Sequence, residues 1–512
     1  MLTAIIEQNG KIYKENIFVI DSHSHLGQDV DGASMMNPLA PGTGTFDFWA
    51  NIQGQISTEL EERDQESMHV KINGIFSKLT WNFNPFPFTD QLYRSLERIG
   101  RNFSNLKEKS KFYTLVDQAV VFPFQDVFRD KRPEARYRAS NINISRFTTR
   151  FPFSIKLIGY ARVDPMEGEK AIKEVRYARE VLGLRGLKLH PRSEGYIDSI
   201  NSEKVINVLI EAARHSMPII FDTRGRKTIL DIGALVSFTR NLMAQNHPEL
   251  LPHFKVIIAH FAQGNIGDYD VYRAIVQPGV YGDLSMLHGE GAANFFKDFR
   301  KWFIDNDKIQ VDGRDWSEYL LFATDYPYFG AAHAEKLLIQ ILNSKFFESG
   351  GTIHDIKNIL GLNQLKVLPE YCISQYQQKR EKLPSIMISN QNIENKSSYD
   401  LAVDSIAKLL SVNQINIKRI AIQFKENWDS ITENILLYMT KYGKDKEYLI
   451  QLLNLVPEKL TLIAPISSEL EWKKFGYKHF NPNDRKYFNE IFQNNFLVTN
   501  EEQIINVLSQ LP

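Results

Sequence analysis

The string Asp21-Ser22-His23-Ser24-His25-Leu26-Gly27 follows directly on the apolar run Ile17–Ile20. Residues two apart in an extended strand project to the same side. His23 and His25 therefore point together, and two imidazoles so placed can share one divalent ion at about 2.0–2.1 Å each. Similar endings recur along the chain. His190 closes Leu184–His190, Asp222 closes Pro218–Asp222, His260 closes Lys255–His260 and Asp325 closes Tyr319–Asp325. Packing explains such endings poorly, because an imidazole or carboxylate buried without a partner is costly. Several of them converging on one cation would relieve one another.

Other residues flank these ends. Lys188 has the parity of His190 and is expected to point inward with it. Arg224 and Arg226 closely follow Asp222, where a guanidinium suits a substrate carboxylate. Arg162 and Asp164 end the run Leu157–Val163, and His288 and Glu290 come after Gly279–Leu284. Asp283 is expected as an inward carboxylate that orients a ligand.

Positioning such groups together needs a scaffold of aligned strands. Eight short apolar runs supply one: the seven already named together with Gln118–Phe122. Most are β-branched, the mark of strands buried on both faces. Amphipathic segments lie between several of them: Glu167–Leu182, Ser202–His215, Thr228–Gln245 and Asn294–Phe303. Strand alternating with helix eight times predicts an α/β fold, a (β/α)8 TIM barrel over residues 1–370, with its chemistry at the C-terminal ends of the strands. About 95 residues separate the first run from the second, far beyond an ordinary barrel connection. Residues 28–115 are therefore expected as an insertion, a lid or pocket wall. It carries Gly/Pro/Asn-rich stretches at Asn37–Gly44 and Trp81–Phe88 and a polar helix candidate at Thr58–Glu66.

After Leu368–Pro369 the character changes to polar linker. Strand-like runs Ser385–Ser389, Ile417–Gln423 and Leu460–Ala464 then alternate with helix-like runs, Asn427–Tyr442 among them. Residues 383–512 are expected to form a smaller accessory α/β domain, and nothing in them identifies a role.

Composition narrows the partners. Lys plus Arg is 61 and Asp plus Glu is 61, so no net charge favours nucleic acid or an anionic membrane. The single cysteine, Cys372, excludes an internal disulfide and a cysteine-based zinc site. A metal would rest on histidine and carboxylate. Met1–Lys14 lacks the basic start and apolar core of a signal peptide. No apolar run approaches the roughly 18 residues that cross a bilayer. The expectation is a cytoplasmic protein acting on a small molecule, with a homodimer as the common assembly.

The ordered series DSHSHLG, GLRGLKLHP, PIIFDTRG, VIIAHF and LLFATDYPY, with GYARVDP, GVYGDLS and ILGLNQLKVL, resembles the amidohydrolase superfamily. It is most similar to the amidohydrolase-2 branch, related to aminocarboxymuconate-semialdehyde decarboxylase. The resemblance covers roughly residues 17 to 370. It implies that His23 and His25 are first-strand metal ligands. It implies that His260 contacts substrate or moves a proton, and in some members binds a second metal. Asp325 matches a metal ligand that is also the base for the attacking water. The fifth strand departs from the pattern, with Asp222 where members usually have histidine. Two outcomes are open. Asp222 ligates, giving a harder set compatible with Zn but also with Mn or Fe, or His190 completes the site from the neighbouring strand. In other amidohydrolases a carbamylated fourth-strand lysine bridges two metals. Lys188 stands two residues below the rim, where pairing with Asp222 or Asp164 competes with that role, and it is also a candidate substrate contact.

The implied activity is metal-dependent hydrolysis, with Zn the first expectation. Water activated on the ion attacks a carbonyl-type carbon, and a C–N or C–O bond breaks. The alternatives are decarboxylation at the same site, and a non-catalytic barrel that lost a ligand at Asp222.

Overall fold

A computed structural model describes residues 2–26, 66–83, 116–123, 133–148, 157–262, 266–287, 290–326 and 330–369. It also describes short strands at 371–372, 387–388, 419–422, 435–438 and 460–463. β1 (Leu2–Gln8) and β2 (Lys11–Ile17) form a hairpin, after which the chain enters β3 (Ile20–Leu26). β4 (Ser67–Ile72) and β5 (Ile75–Phe83) form a second hairpin that pairs back onto β1, in the order β2-β1-β5-β4. Both hairpins turn on Asn-Gly, at Asn9-Gly10 and Asn73-Gly74, with all four residues at positive φ. That is the two-residue turn whose twist matches paired strands. Trp81 of β5 is buried, and its indole N–H donates to the carbonyl of Leu342 at 3.0 Å, which fixes this sheet to the main body.

The parallel strands fall in two sheets. β3 pairs with β6 (Gln118–Pro123), which pairs with β7 (Leu157–Gly159). Six more strands run in sequence: β8 (Ala161–Arg162), β9 (Leu187–Leu189), β10 (Ile219–Phe221), β11 (Val256–Ile258), β12 (Val280–Asp283) and β13 (Leu320–Leu321). β7 and β8 are one chain run interrupted at Tyr160. The Tyr160 N–H donates to Val121 O at 2.9 Å and the Ala161 N–H to Gly186 O at 2.8 Å, so the run serves both sheets. The far edges are also joined. Ser22 N–H donates to Phe322 O at 3.0 Å, Asp325 N–H to His23 O at 2.9 Å and His25 N–H to Tyr326 O at 2.7 Å.

Alternation along these strands builds two cores. Ile219, Phe221, Val256 and Ile258 face one way into the larger cluster with the helices, whereas Ile220 and Ile257 join Val120, Phe122, Ile158, Tyr281 and Leu321 in a separate inner cluster. Both sets are removed from water, as expected of parallel strands covered on both faces. Lys188 stands in register with Ile220, which stands in register with Ile257. On its other side Lys188 stands in register with the buried Arg162 of β8. The connecting helices include Glu169–Arg176, continued by a wider turn to Val181, then Glu203–Arg214, Arg226–Asn246 and Glu290–Asp305. Gly361 lies against the link between β2 and β3, where a Cβ would meet Phe18 O.

Three local expectations need correction. The strand expected at Ile17–Ile20 instead spans Ile20–Leu26, because residues 11–17 are drawn into the hairpin sheet. The eighth run, Tyr319–Asp325, keeps only Leu320–Leu321 as strand, because Trp316–Tyr319 forms a 3-10 turn capped by Asp315. In the C-terminal part, Ile435–Tyr438 forms a strand within the segment expected as helix. It pairs with Arg419–Ile422 and Leu460–Ile463, and a short apolar run of this kind suits either state by periodicity. Within 28–115, residues 66–83 are described. Residues 28–65 and 84–115 lie outside the described residues, and with them nearly all of the helix candidate at 58–66. Among the described residues no helix is long and apolar enough to cross a membrane.

Candidate metal centre

The strand ends carry their polar groups to one place. His23 and His25 lie within β3, and the pairing of β3 with β6 shifts register between Asp21 and Ser24. Such a bulge re-aims the side chains around it. His260 and Asp325 follow their strands in left-handed backbone, at φ 56° and 54°. This conformation is uncommon outside glycine and tends to be held at functional sites.

Six groups then meet, all buried. Asp325 Oδ1 lies 3.1 Å from His25 Nε2 and 3.4 Å from His23 Nε2. Asp222 Oδ2 lies 3.4 Å from His260 Nε2 and 3.2 Å from Lys188 Nζ, and Lys188 Nζ donates to His23 Nε2 at 3.0 Å. Two triads have ligand-type atoms within 4.8 Å of one another: His23, His25 and Asp325, and His23, Asp222 and His260. Phe122 closes the cluster below, with its ring edge-on to His23 and His25 at 5.1 and 4.7 Å.

One carboxylate arranges two of the imidazoles. Asp283 Oδ2 accepts from His23 Nδ1 at 2.7 Å. Asp283 Oδ1 accepts from the His260 N–H at 2.9 Å and from the Ser285 hydroxyl. Since that hydroxyl donates to Asp283, it accepts from His260 Nδ1 at 2.7 Å. Both Nδ1 atoms are donors, so both Nε2 atoms are turned into the cluster. This is the tautomer that a metal-binding imidazole needs.

The charges suit a cation. Burial pushes His25 down to about 3 despite Asp325, so its ring is neutral near neutral pH. Burial, aided by Lys188, also lowers His23. Asp325 is held well below the usual carboxylate range by His25, His23 and His260, although burial opposes this. Lys188 and His190 do the same for Asp222, again against burial. His260 moves the other way: burial opposes it, yet Asp222 and Asp325 raise it above its ordinary value. With His23 and His25 neutral, the three carboxylates Asp222, Asp283 and Asp325 outnumber Lys188 and His260 even when both carry a proton, which leaves a buried excess of negative charge. Asp222 Oδ1 and His260 Nε2 are buried without a hydrogen bond. On donor type, tautomer and charge, these residues fit a divalent ion.

The other expected residues are distributed around this centre. His190 Nε2 is 3.4 Å from Asp222 Oδ1, and neither metal-type triad includes it. Lys188 is fully buried inside the cluster. Arg224 is exposed at its margin, with Nε 3.5 Å from Asp222 Oδ1. Arg226 is on the surface, paired with Asp268 and Asp270. Arg162 and Asp164 do not pair with each other. Arg162 is buried against Glu194 at 2.7 Å and Ser193 at 2.8 Å, and Asp164 takes Arg136 at 3.2 Å. His288 lies outside the described residues.

Sequence reading passed over several contributors. Asp21 accepts from the hydroxyls of Ser24 at 2.6 Å and Thr324 at 2.5 Å, and so ties the first strand to the last. Its parity with His23 and His25 was the available signal. Glu194 accepts from the His190 N–H at 3.1 Å and steadies the turn after β9. Ser285 follows Asp283 by two residues, the spacing of a local side-chain cap.

No protein-family model and no curated protein matches the chain. Solved structures are similar to it. One is 5-carboxyvanillate decarboxylase from Sphingomonas paucimobilis, 11% identical with a TM-score of 0.35, the match covering 69% of this chain and 98% of that one. A second is 5-carboxyvanillate decarboxylase from Novosphingobium aromaticivorans, complexed with manganese and 4-hydroxy-3-methoxy-5-nitrobenzoic acid. It is 13% identical with a TM-score of 0.39, over 69% of this chain and 96% of that one. A third, an amidohydrolase II, is 15% identical with a TM-score of 0.36, over 68% of this chain and 99% of that one.

Proposed function

We propose that this chain is a metal-dependent hydrolase of the amidohydrolase superfamily, built on a (β/α)8 barrel. In this reading residues 28–115 are inserted after the first barrel strand and 383–512 form an accessory domain. The parallel strand series and the backbone hydrogen bonds joining its outer edges support the barrel. One observation carries the function. The ligand-type atoms of His23, His25 and Asp325 come within 4.8 Å of one another although the chain separates them by up to about 300 residues.

His23, His25 and Asp325 would hold the ion. Asp222 with His23 and His260 is the alternative set, and His190, 3.4 Å from Asp222, would support that carboxylate. The borderline N/O donor set suits Zn, and its carboxylates admit Mn or Fe. When bound, the ion supplies acidified water and a polarised carbonyl oxygen. The protein does the remainder. Asp325 stays ionised in the cluster and accepts the proton of the attacking water. His260 faces Asp222 and Asp325, which raise it above its ordinary value, and its Nε2 is placed to stabilise the developing oxyanion or to pass a proton to the leaving group. Asp283 keeps both rings in the required tautomer. Phe122 excludes water from beneath.

The second reading is decarboxylation at the same centre. Exposed Arg224 at the margin of the cluster favours it, as a guanidinium that could hold a substrate carboxylate. A small-molecule panel of lactones, amides and aromatic carboxylic acids, assayed with Zn, Mn and Fe, separates the two by product. Metal analysis of protein purified without added metal tests the common premise. About one equivalent of transition metal, lost in His23→Ala and His25→Ala, is expected of such a centre. A trace content that neither substitution changes would overturn the reading.

A further inference from the structure

We infer that Lys188 decides where the ion sits: its ammonium holds Asp222 as a counter-ion and thereby directs the ion to His23, His25 and Asp325. This rests on the metal-dependent reading and refines it.

The two triads share one atom. His23 Nδ1 is engaged by Asp283, so only Nε2 is available to an ion, and it cannot serve both triads at once. The triads are alternative positions for one ion. Lys188 breaks the tie. Its Nζ stands 3.2 Å from Asp222 Oδ2 and 3.0 Å from His23 Nε2, touching two of the three members of the second triad. Its hydrogen bonds thus reach Asp222, which belongs to the second triad alone, and the shared His23. A divalent ion at Asp222 would sit beside an ammonium with no solvent between them, and like charges at such range repel strongly in a dry site. An ion at His25 and Asp325 takes His23 Nε2 from Lys188 and leaves the Lys188–Asp222 pair intact. The lysine is fully buried, in register with buried Arg162 on β8 and Ile220 on β10, so solvation does not account for it. Phe122 holds it in place, with Nζ 4.9 Å from the ring centroid. Asp222 is then explained as the anion that a buried lysine requires.

The test is a double-mutant cycle on the full chain, read as the dissociation constant for Zn and for Co by chelator competition, with the Co visible spectrum reporting the ligand set. With Lys188 present, Asp222→Asn is expected to change affinity by less than about threefold, while His25→Ala weakens it by about 100-fold or more. In Lys188→Met, Asp222 is released to ligate. Asp222→Asn then costs about tenfold or more, and the Co spectrum of Lys188→Met differs from that of the unaltered protein. Should Lys188→Met not fold, Lys188→Leu, which likewise has no donor for Asp222, takes its place. A loss of about tenfold on Asp222→Asn with Lys188 present would overturn the inference and leave the metal reading standing. An ion bound by Lys188→Met but not by the unaltered protein would support Lys188 as the resident cation and end the metal reading. No ion in either protein would end both.

Discussion

His23 Nδ1 donates to Asp283 Oδ2 at 2.7 Å, across 260 positions of sequence and between strands of different sheets. The same carboxylate holds the His260 backbone and the Ser285 hydroxyl. One buried anion thus aims two rings, and its charge strengthens both. Asp283→Asn keeps the size but presents an amide, and is expected to weaken ion binding by about 10–100-fold with the fold retained. Chelator competition measures this, and equal affinity in the two proteins would remove Asp283 from the centre.

Asp21 gives a pH signature. Burial raises its carboxyl from 3.8 to about 6, against donors from Ser24, Thr324 and two backbone N–H groups. Between about pH 4 and 6 the folded chain keeps a proton that the unfolded chain has released, so this group's contribution is full below that window and falls as pH rises through it. The fall is on the order of 3 kcal/mol. Asp21→Asn cannot titrate. The difference in unfolding free energy between native and variant protein, from urea titrations at about pH 4, 5 and 6, should decline by about 2 kcal/mol. A flat difference would place the carboxyl near its ordinary value.

Arg162 and Glu194 form a pair with both side chains essentially buried. Removing one partner strands the other, so Arg162→Met should lower stability by about 3–5 kcal/mol. Arg162→Met combined with Glu194→Leu removes both charges and should recover much of the loss. Urea unfolding of the set checks this. Equal destabilisation by the single and double variants would mean that packing outweighs charge here.

Trp81 joins the hairpin sheet to the main body through Leu342. Trp81→Ala removes a large buried ring and an indole hydrogen bond, and should cost about 3–5 kcal/mol. Limited proteolysis should then cut within residues 66–83 well before the core. Unchanged resistance would show that this sheet is held elsewhere.

The candidate site was legible in the sequence because its residues end apolar runs. His23, His25, His260 and Asp325 converge as their positions suggested, and Lys188 meets Asp222 as parity allowed. The strands β9, β10 and β11 were equally readable, being apolar runs shielded on both faces. What escaped was set by partners far away in sequence. β1, β2, β4 and β5 take their state from each other, with Ile5 opposite Lys14 on one side and Thr80 on the other. Arg162 found Glu194 instead of its near neighbour Asp164, a choice made by the turn that follows β9. Ile435–Tyr438 reads as helix until two flanking strands are known.

The interior position of β1 has a bearing on how the molecule is made. Its first neighbour, β2, is complete by residue 17, but its second, β5, ends only at residue 83. During synthesis one rim of β1 must wait, its amides and carbonyls open to any passing strand, until some sixty further residues have left the ribosome. The Asn-Gly turns, which close each hairpin without outside help, shorten the time for which that rim stays uncovered.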